Sequence, residues 1–158
     1  MDTILQAVQN IIEYRFKEQL ILWEAMQAAG SNVRSAGDRK FLDGNKRLAV
    51  IGDTVLQLVL AEKWYSVGLS EAAERFSQTL SQVACNANLD RIGRQLGLQR
   101  FVNGNPSQGQ VVSPITMAAT MEAILGAVYL DSNLETVGEV MQTLGLIPRA
   151  SQDAGESQ

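Results

Sequence analysis

The sequence predicts an all-α protein with a single folded domain, and three observations carry this prediction. The chain has 158 residues, of which 46% are hydrophobic, enough for one core without room for a second domain. Only 3 prolines and 6% aromatic residues accompany runs of Leu, Ala, Val and Gln, which favours helices over a sheet. Two long apolar stretches, 45–61 and 115–130, are expected to be buried helices. Residues 148–158 lack an apolar run and are expected to be disordered, so the domain is predicted to span 1–147.

The elements before the first buried helix are predicted to be a helical hairpin and a loop. Residues 3–13 and 16–29 both carry apolar side chains at steps of three and four, the spacing of amphipathic helices. Residues 30–44 then hold three glycines and five charged side chains, a composition typical of a loop. This loop leads directly into the first buried helix.

The first buried helix, 45–61, is predicted to be apolar around most of its circumference. Asp53 is the only charged side chain after its third residue. Such a carboxylate must be paired, hydrogen-bonded, protonated or bound to a metal, because burying it alone is energetically costly. Lys46, Ala49 and Gln57 share one stripe of the helix with Asp53, and we expect any chemistry to face that stripe.

The second half of the chain is predicted to hold further helices. Ser70 follows a turn at 66–68 and has the residue type of an N-cap. Ser113 and Pro114 are expected to start the second buried helix, as its N-cap and its first helical residue. Residues 134–144 complete the predicted bundle.

Composition and charge limit the residues that could carry catalysis and the ligands that the chain could attract. The chain has no histidine and one cysteine, Cys85, so it lacks an internal disulfide, the commonest general base and the commonest transition-metal ligand. Any catalysis is therefore expected to use carboxylates. The net charge of −4 counts against strong nucleic-acid binding by overall charge, so a basic surface would have to be local.

The sequence predicts neither a membrane span nor an export signal. The apolar run 115–130 is too short for a comfortable span and contains Glu122. The first residues and the amphipathic pattern that follows, with Glu13, match neither a basic secretory signal nor an acid-poor transit peptide. We expect an intracellular protein of the cytoplasm or nucleus, and the mitochondrion stays open.

Each buried helix carries one carboxylate, Asp53 in the first and Glu122 in the second, and we expect the two to share a site. Close approach without a cation would raise one pKa, and the pair would share a proton. A divalent ion, or Lys46 folding back toward Asp53, would relieve the repulsion. The alternative is that both carboxylates brace neighbouring helices through backbone hydrogen bonds.

Both buried helices resemble the motifs of ribonuclease III. The first matches the signature helix of that family at Asn45, Arg47, Leu48, Gly52, Asp53, Val55 and Leu56. The second matches the second motif at Glu122, Ala123, Gly126, Ala127, Tyr129, Leu130 and Asp131. The resemblance covers roughly residues 8–144 and implies a ribonuclease III-like helical bundle.

In ribonuclease III, carboxylates of these two motifs hold magnesium, which activates water for phosphodiester hydrolysis. The resemblance assigns Asp53 and Glu122 to two of those positions, whereas Lys46, Ala49 and Ala119 stand at the other three. It therefore implies an RNA-binding or RNA-processing protein with lost or nearly lost nuclease activity and at most weak magnesium binding. Two alternatives stay open. One is an active endonuclease for double-stranded RNA that uses Asp53 and Glu122, and the other is a structural component of a ribonucleoprotein particle.

The resemblance also implies a dimer whose interface is formed largely by the signature helix. Val50 stands where the family has a phenylalanine that enters the partner, and Gly52 fits close approach of helices. We predict a symmetric contact through this helix, with an identical or a related subunit as the partner.

A small basic lip is predicted next to the site. Its candidate RNA-binding residues come from the loop and the start of the first buried helix: Arg34, Arg39, Lys40 and Arg47, with Lys46 beside them. The alternative interpretation is that these charges are simply solvated.

Overall fold

The computed structural model describes residues 1–68, 72–109 and 111–149, which form a helical bundle. The α-helices are α1 (Asp2–Ile12), α2 (Gln19–Ala25), α3 (Lys46–Ser66), α4 (Ala73–Ala84), α5 (Asn86–Gln95), α6 (Pro114–Asp131) and α7 (Leu134–Leu144). Two short 3-10 helices, Leu98–Phe101 and Pro106–Gln108, connect α5 to α6. The predicted all-α class is confirmed. None of the helices in these three ranges is both long and apolar enough to cross a lipid bilayer.

The two buried helices, α3 and α6, pack together at the centre of the bundle. Their backbones come close because each carries a glycine at the contact. A Cβ atom at Gly52 would overlap the carbonyl group of Glu122, and a Cβ atom at Gly126 would collide with the carbonyl oxygen of Leu48. The sequence prediction of two central helices is confirmed, and the glycines set the distance between them.

The start of α6 also follows the prediction. The Ser113 hydroxyl accepts a hydrogen bond from the backbone N–H of Thr116 at 3.2 Å, and Pro114 is the first helical residue. Serine therefore satisfies one of the N–H groups that the first turn leaves without an intrahelical partner.

Asn45 fixes the start of α3 from inside the protein. Its side chain makes no capping bond to α3. The buried amide instead donates to the carbonyl oxygen of Ala25 at 2.8 Å and to the hydroxyl of Thr120 at 3.2 Å. Its backbone N–H donates to the carbonyl oxygen of Gln27 at 2.7 Å. Asn45 thus joins the end of α2, the start of α3 and the first half of α6.

Asp131 ties the turn between α1 and α2 to the end of α6. Its carboxylate accepts hydrogen bonds from the Tyr14 hydroxyl at 2.7 Å and from the backbone N–H groups of Lys17 and Glu18 at 2.9 and 3.0 Å. Burial alone would raise the pKa of Asp131, but these hydrogen bonds outweigh it and hold the pKa below its ordinary value. Burial and the same contact raise the pKa of Tyr14 to about 12.

The structure corrects the prediction for residues 30–44. Within this predicted loop, β1 (Ser35–Ala36) pairs antiparallel with β2 (Arg39–Lys40). The turn between them contains Gly37 with φ of +55°, a conformation that glycine adopts without steric cost. The segment before α3 is therefore a short hairpin with a defined orientation.

Helix lengths also differ from the prediction. α3 continues to Ser66 instead of ending at residue 61, and its last turns are packed because Trp64 stacks on Phe76 of α4 with ring centroids 4.9 Å apart. α2 is limited to Gln19–Ala25, shorter than the predicted 16–29. Packing against α4 accounts for the longer α3.

Two predictions fall at the edges of the described ranges. Ser70 lies outside the described residues, and α4 begins at Ala73. The predicted tail also lies outside them, apart from Pro148 and Arg149.

Candidate functional site

The contact between α3 and α6 brings Asp53 and Glu122 together, as the sequence predicts. Gly52 packs directly against the backbone of Glu122, so the next residue, Asp53, lies beside the Glu122 side chain. Both carboxylates are half-buried at the edge of the helix pair. Gln57, one turn further along α3, donates a hydrogen bond to Asp53 Oδ2 at 3.0 Å.

The pairing changes the protonation of Glu122. Burial, followed by the negative charge of Asp53, raises the pKa of Glu122 to about 7. Glu122 therefore gains a proton near neutral pH, which removes part of the repulsion. Among the residues that the structure describes, no backbone N–H donates to either carboxylate. The alternative interpretation, in which both carboxylates brace neighbouring helices through backbone hydrogen bonds, therefore finds no such bond in the described residues.

The remaining family positions carry no acid. Ala49 lies one turn before Asp53 and Ala119 one turn before Glu122, and both present methyl groups. Lys46 is exposed, and the ion pairs within the three described ranges are Arg39 with Glu24 and Arg94 with Asp90, so Lys46 does not pair with Asp53. In the same ranges no three His, Cys, Asp or Glu side chains are grouped to hold a metal ion.

The donor set fits one magnesium ion better than two. Magnesium keeps several of its waters and often takes only one or two protein carboxylates. Asp53 follows Gly52, which packs on the backbone of Glu122, so these two carboxylates are the candidate pair for such an ion. A second ion would need further oxygen ligands, and Ala49 and Ala119 do not supply them.

The predicted basic lip is only partly available to a ligand. The Arg39 guanidinium donates to Glu24 Oε2 from Nε at 2.9 Å and from a terminal nitrogen at 2.7 Å, and Glu24 is buried. Arg34, Lys40 and Arg47 are exposed. Sequence reasoning did not find the ion pair, because Glu24 lies on α2 and meets Arg39 only through the orientation of the hairpin.

The two residues proposed for a dimer interface lie in different environments. Gly52 is buried in the contact between α3 and α6 within the chain. Val50 is 68% exposed and lines a cavity of about 630 Å³ together with Ile51 and Leu130. Leu58, two turns beyond Val50, is 50% exposed. The sequence signal for Leu58 is its spacing of eight residues from Val50, which is two helical turns.

Comparison with known proteins shows which proteins the chain is related to. A family model described as Ribonuclease-III-like matches residues 32–147. Ribonuclease 3 of Idiomarina loihiensis is 31% identical over 140 residues, which cover 87% of this chain and 57% of that protein. Ribonuclease 3 of Caldanaerobacter subterraneus subsp. tengcongensis is 30% identical over 144 residues, covering 89% of this chain and 62% of that protein. The chain thus spans about three fifths of the length of these relatives.

Two solved structures share the fold. Both are of the nuclease domain of ribonuclease III from Campylobacter jejuni. One superposes with a TM-score of 0.73 at 22% identity and covers 89% of this chain and 94% of that chain; it was described for flexibility in the region involved in dimer formation of that protein. The other has a TM-score of 0.72 at 21% identity, covering 92% and 97%. Since the family model matches well over half of the chain and the motif-bearing helices α3 and α6 lie within that match, the chain belongs to the Ribonuclease-III-like family.

Proposed function

We propose that this protein binds structured RNA in an RNA-processing role and that its own nuclease site is catalytically impaired. The observation that carries the proposal is the composition of the site. Asp53 and Glu122 lie on adjoining turns of α3 and α6, but methyl groups of Ala49 and Ala119 take the neighbouring positions. Phosphodiester hydrolysis with two ions needs both the attacking and the leaving oxygen to be stabilised. Two carboxylates provide ligands for at most one such ion.

In the proposed site, each of three residues has one role. Asp53 and Glu122 would hold a single magnesium ion, which when bound lowers the pKa of a coordinated water and polarises the phosphate. Without the ion, the proton on Glu122 offsets the repulsion from Asp53. Gln57 orients Asp53 through its hydrogen bond. No residue of this set takes over the ligand positions at Ala49 and Ala119.

We infer further that the protein dimerises through α3, with an identical or a related subunit. Val50 and Leu58 lie two turns apart on one face of α3 and are exposed, although both are apolar. The cavity beside Val50 has an apolar side formed by Leu48, Ile51 and Leu130 and a charged side formed by residues that include Lys40 and Arg47. Exposed apolar surface next to a cavity favours a protein contact.

A second candidate is an active endonuclease with a single-ion site. The observation in its favour is the contact at Gly52, which brings Asp53 beside Glu122. Burial and then the charge of Asp53 raise the pKa of Glu122 to about 7, and a divalent cation there would offset the second of these causes. This candidate shares the fold and the RNA substrate with the first proposal and differs only in metal-dependent cleavage.

Cleavage of a long double-stranded RNA by the purified protein distinguishes the two candidates. The reaction is run with magnesium, with manganese and with EDTA, and an Asp53→Asn variant serves as the control. For an impaired nuclease we expect bound RNA without products. We also expect a Lys46→Glu, Ala49→Glu, Ala119→Asp triple variant to gain metal-dependent cleavage, provided that its thermal unfolding shows a folded protein. Metal-dependent products from the unmodified chain that disappear with Asp53→Asn would overturn the impairment and support the second candidate.

A further inference from the structure

Lys46 is an exposed cation at the start of α3 with no ion-pair partner in the parts of the chain that the structure describes. It is the first residue of α3, and no carboxylate there lies within ion-pair distance of its ammonium group. Of the basic residues near it, Arg39 is held by Glu24, whereas Arg34, Lys40 and Arg47 are exposed like Lys46. Lys46 therefore keeps its full charge available for a ligand.

The position of Lys46 on α3 explains why it does not neutralise Asp53. The two residues are seven positions apart, which is two helical turns and about 10 Å along the axis. Long side chains on a helix lean toward its N-terminus, which carries the ammonium of Lys46 away from Asp53. The residue between them on the same stripe is Ala49, so no carboxylate occupies the intervening surface.

The first turn of α3 concentrates positive charge. Lys46 and Arg47 are both in it, and it contains no acidic residue. Cations are unfavourable at the positive end of a helix dipole, where proteins normally place acids. The described chain offers these two side chains no compensating ion pair. An anionic ligand would turn this unfavourable arrangement into a favourable one.

We propose that Lys46 binds a phosphate of RNA directly and that RNA binding at this site needs no metal ion. This proposal rests on the proposed function, because it takes the ligand to be RNA. Lys46 supplies a permanent positive charge at the start of α3. In a metal-dependent site, bound cations would provide the positive charge that attracts a phosphate. Asp53 lies two helical turns from Lys46 along α3, about 10 Å, which exceeds the Debye length of about 8 Å at physiological salt.

The experiment measures binding of a short RNA duplex by fluorescence anisotropy in EDTA, over a series of KCl concentrations. The variants are Lys46→Gln and, as a matched control, Lys63→Gln, which removes the same charge from an exposed lysine in the last turn of α3. Lys46→Gln is expected to weaken binding roughly 3- to 10-fold at low salt and to reduce the slope of log Kd against log salt by about 1 for each Lys46 in contact. Lys63→Gln should change Kd less than about 2-fold, as expected for a residue outside the contact.

Two further measurements make the outcome decisive. Lys46→Arg should retain the affinity and the salt slope, since it keeps the charge, and magnesium should not tighten binding by the unmodified chain. If the unmodified chain binds RNA but Lys46→Gln binds equally well, or if binding requires magnesium, the proposal is overturned while the proposed function stands. If the unmodified chain binds no RNA with or without magnesium, the proposed function fails as well.

Discussion

At the scale of single residues, some residues of the two motifs support the fold and others are available for chemistry, and the residue type alone does not show which is which. Asn45 and Asp131 both belong to the motifs, yet both use their polar groups inside the fold. Asn45 joins α2, α3 and α6, and Asp131 holds the turn before α2. Asp53 and Glu122 lack such backbone partners in the described chain and remain available for chemistry. The hydrogen-bond partners therefore distinguish the candidate site residues from the motif residues that hold the fold together.

The protonation of Glu122 provides a prediction for the Asp53→Asn variant. Removing the charge of Asp53 should lower the pKa of Glu122 from about 7 to a value that stays above the ordinary 4.5, because burial, the larger cause, remains. The measurement is an NMR titration of the Glu122 carboxyl carbon. Asp43→Asn, which removes an exposed carboxylate just before α3, is the control and should leave that pKa unchanged. An unchanged pKa with Asp53→Asn would mean that Asp53 does not act on Glu122.

The same shift fixes the sign of a stability effect. Glu122 has a higher pKa in the folded protein than in the unfolded chain, where about 4.3 is expected. Between these two values the folded state binds more protons, so the contribution of Glu122 to stability is full at low pH and is lost as pH rises toward 7. Asp53→Asn should make the free energy of unfolding less dependent on pH over that interval.

At the scale of elements, the close contact between α3 and α6 predicts opposite effects for two glycine substitutions. Gly52→Ala should destabilise the protein by about 3 kcal/mol or more, although alanine favours helices, because its Cβ would overlap the backbone of Glu122. Gly138→Ala in α7 should be neutral or stabilise by up to about 1 kcal/mol, because its Cβ would meet only Val59 Cγ1 at 3.7 Å. Urea unfolding measures both. A stable Gly52→Ala variant would contradict the contact.

The helices and the hairpin also show which parts of the fold could be predicted from the sequence. Apolar runs predicted α3 and α6, and the residues Ser113 and Pro114 predicted the start of α6, because these signals are local. The pairing of Asp53 with Glu122 followed from the same two helices. The hairpin at 35–40 is local, but its strands are only two residues long and show no alternating pattern that would reveal them. The ion pair of Arg39 with Glu24 was not predicted either, because it depends on a contact between separate segments, the hairpin and α2. Gly52 was expected at a dimer surface and packs inside the chain for the same reason.

At the scale of the whole molecule, charge is distributed unevenly. Residues 34–47 contain five Lys or Arg and two Asp, whereas the chain as a whole has a net charge of −4. The charged residues that line a separate groove of about 450 Å³ between α3 and α7 are three glutamates and one lysine: Glu62, Glu135, Glu139 and Lys63. Glu62 lies nine positions from Asp53, which places it on the opposite side of α3. A polyanion would therefore approach the end of the molecule that carries the hairpin and Lys46.

The proposed dimer gives the last prediction, which concerns the exposed face of α3. Val50→Asp should weaken dimerisation by about 3 kcal/mol, roughly 100-fold in Kd, because each copy would bring an unpaired carboxylate into an apolar contact. Ile115→Asp is the matched control: Ile115 is 71% exposed, close to the 68% of Val50, and lies in the first turn of α6, where an acid suits the helix dipole. Sedimentation equilibrium at micromolar concentration measures both variants. A monomeric mass for the unmodified chain, or equal weakening by both substitutions, would rule out a dimer built on Val50.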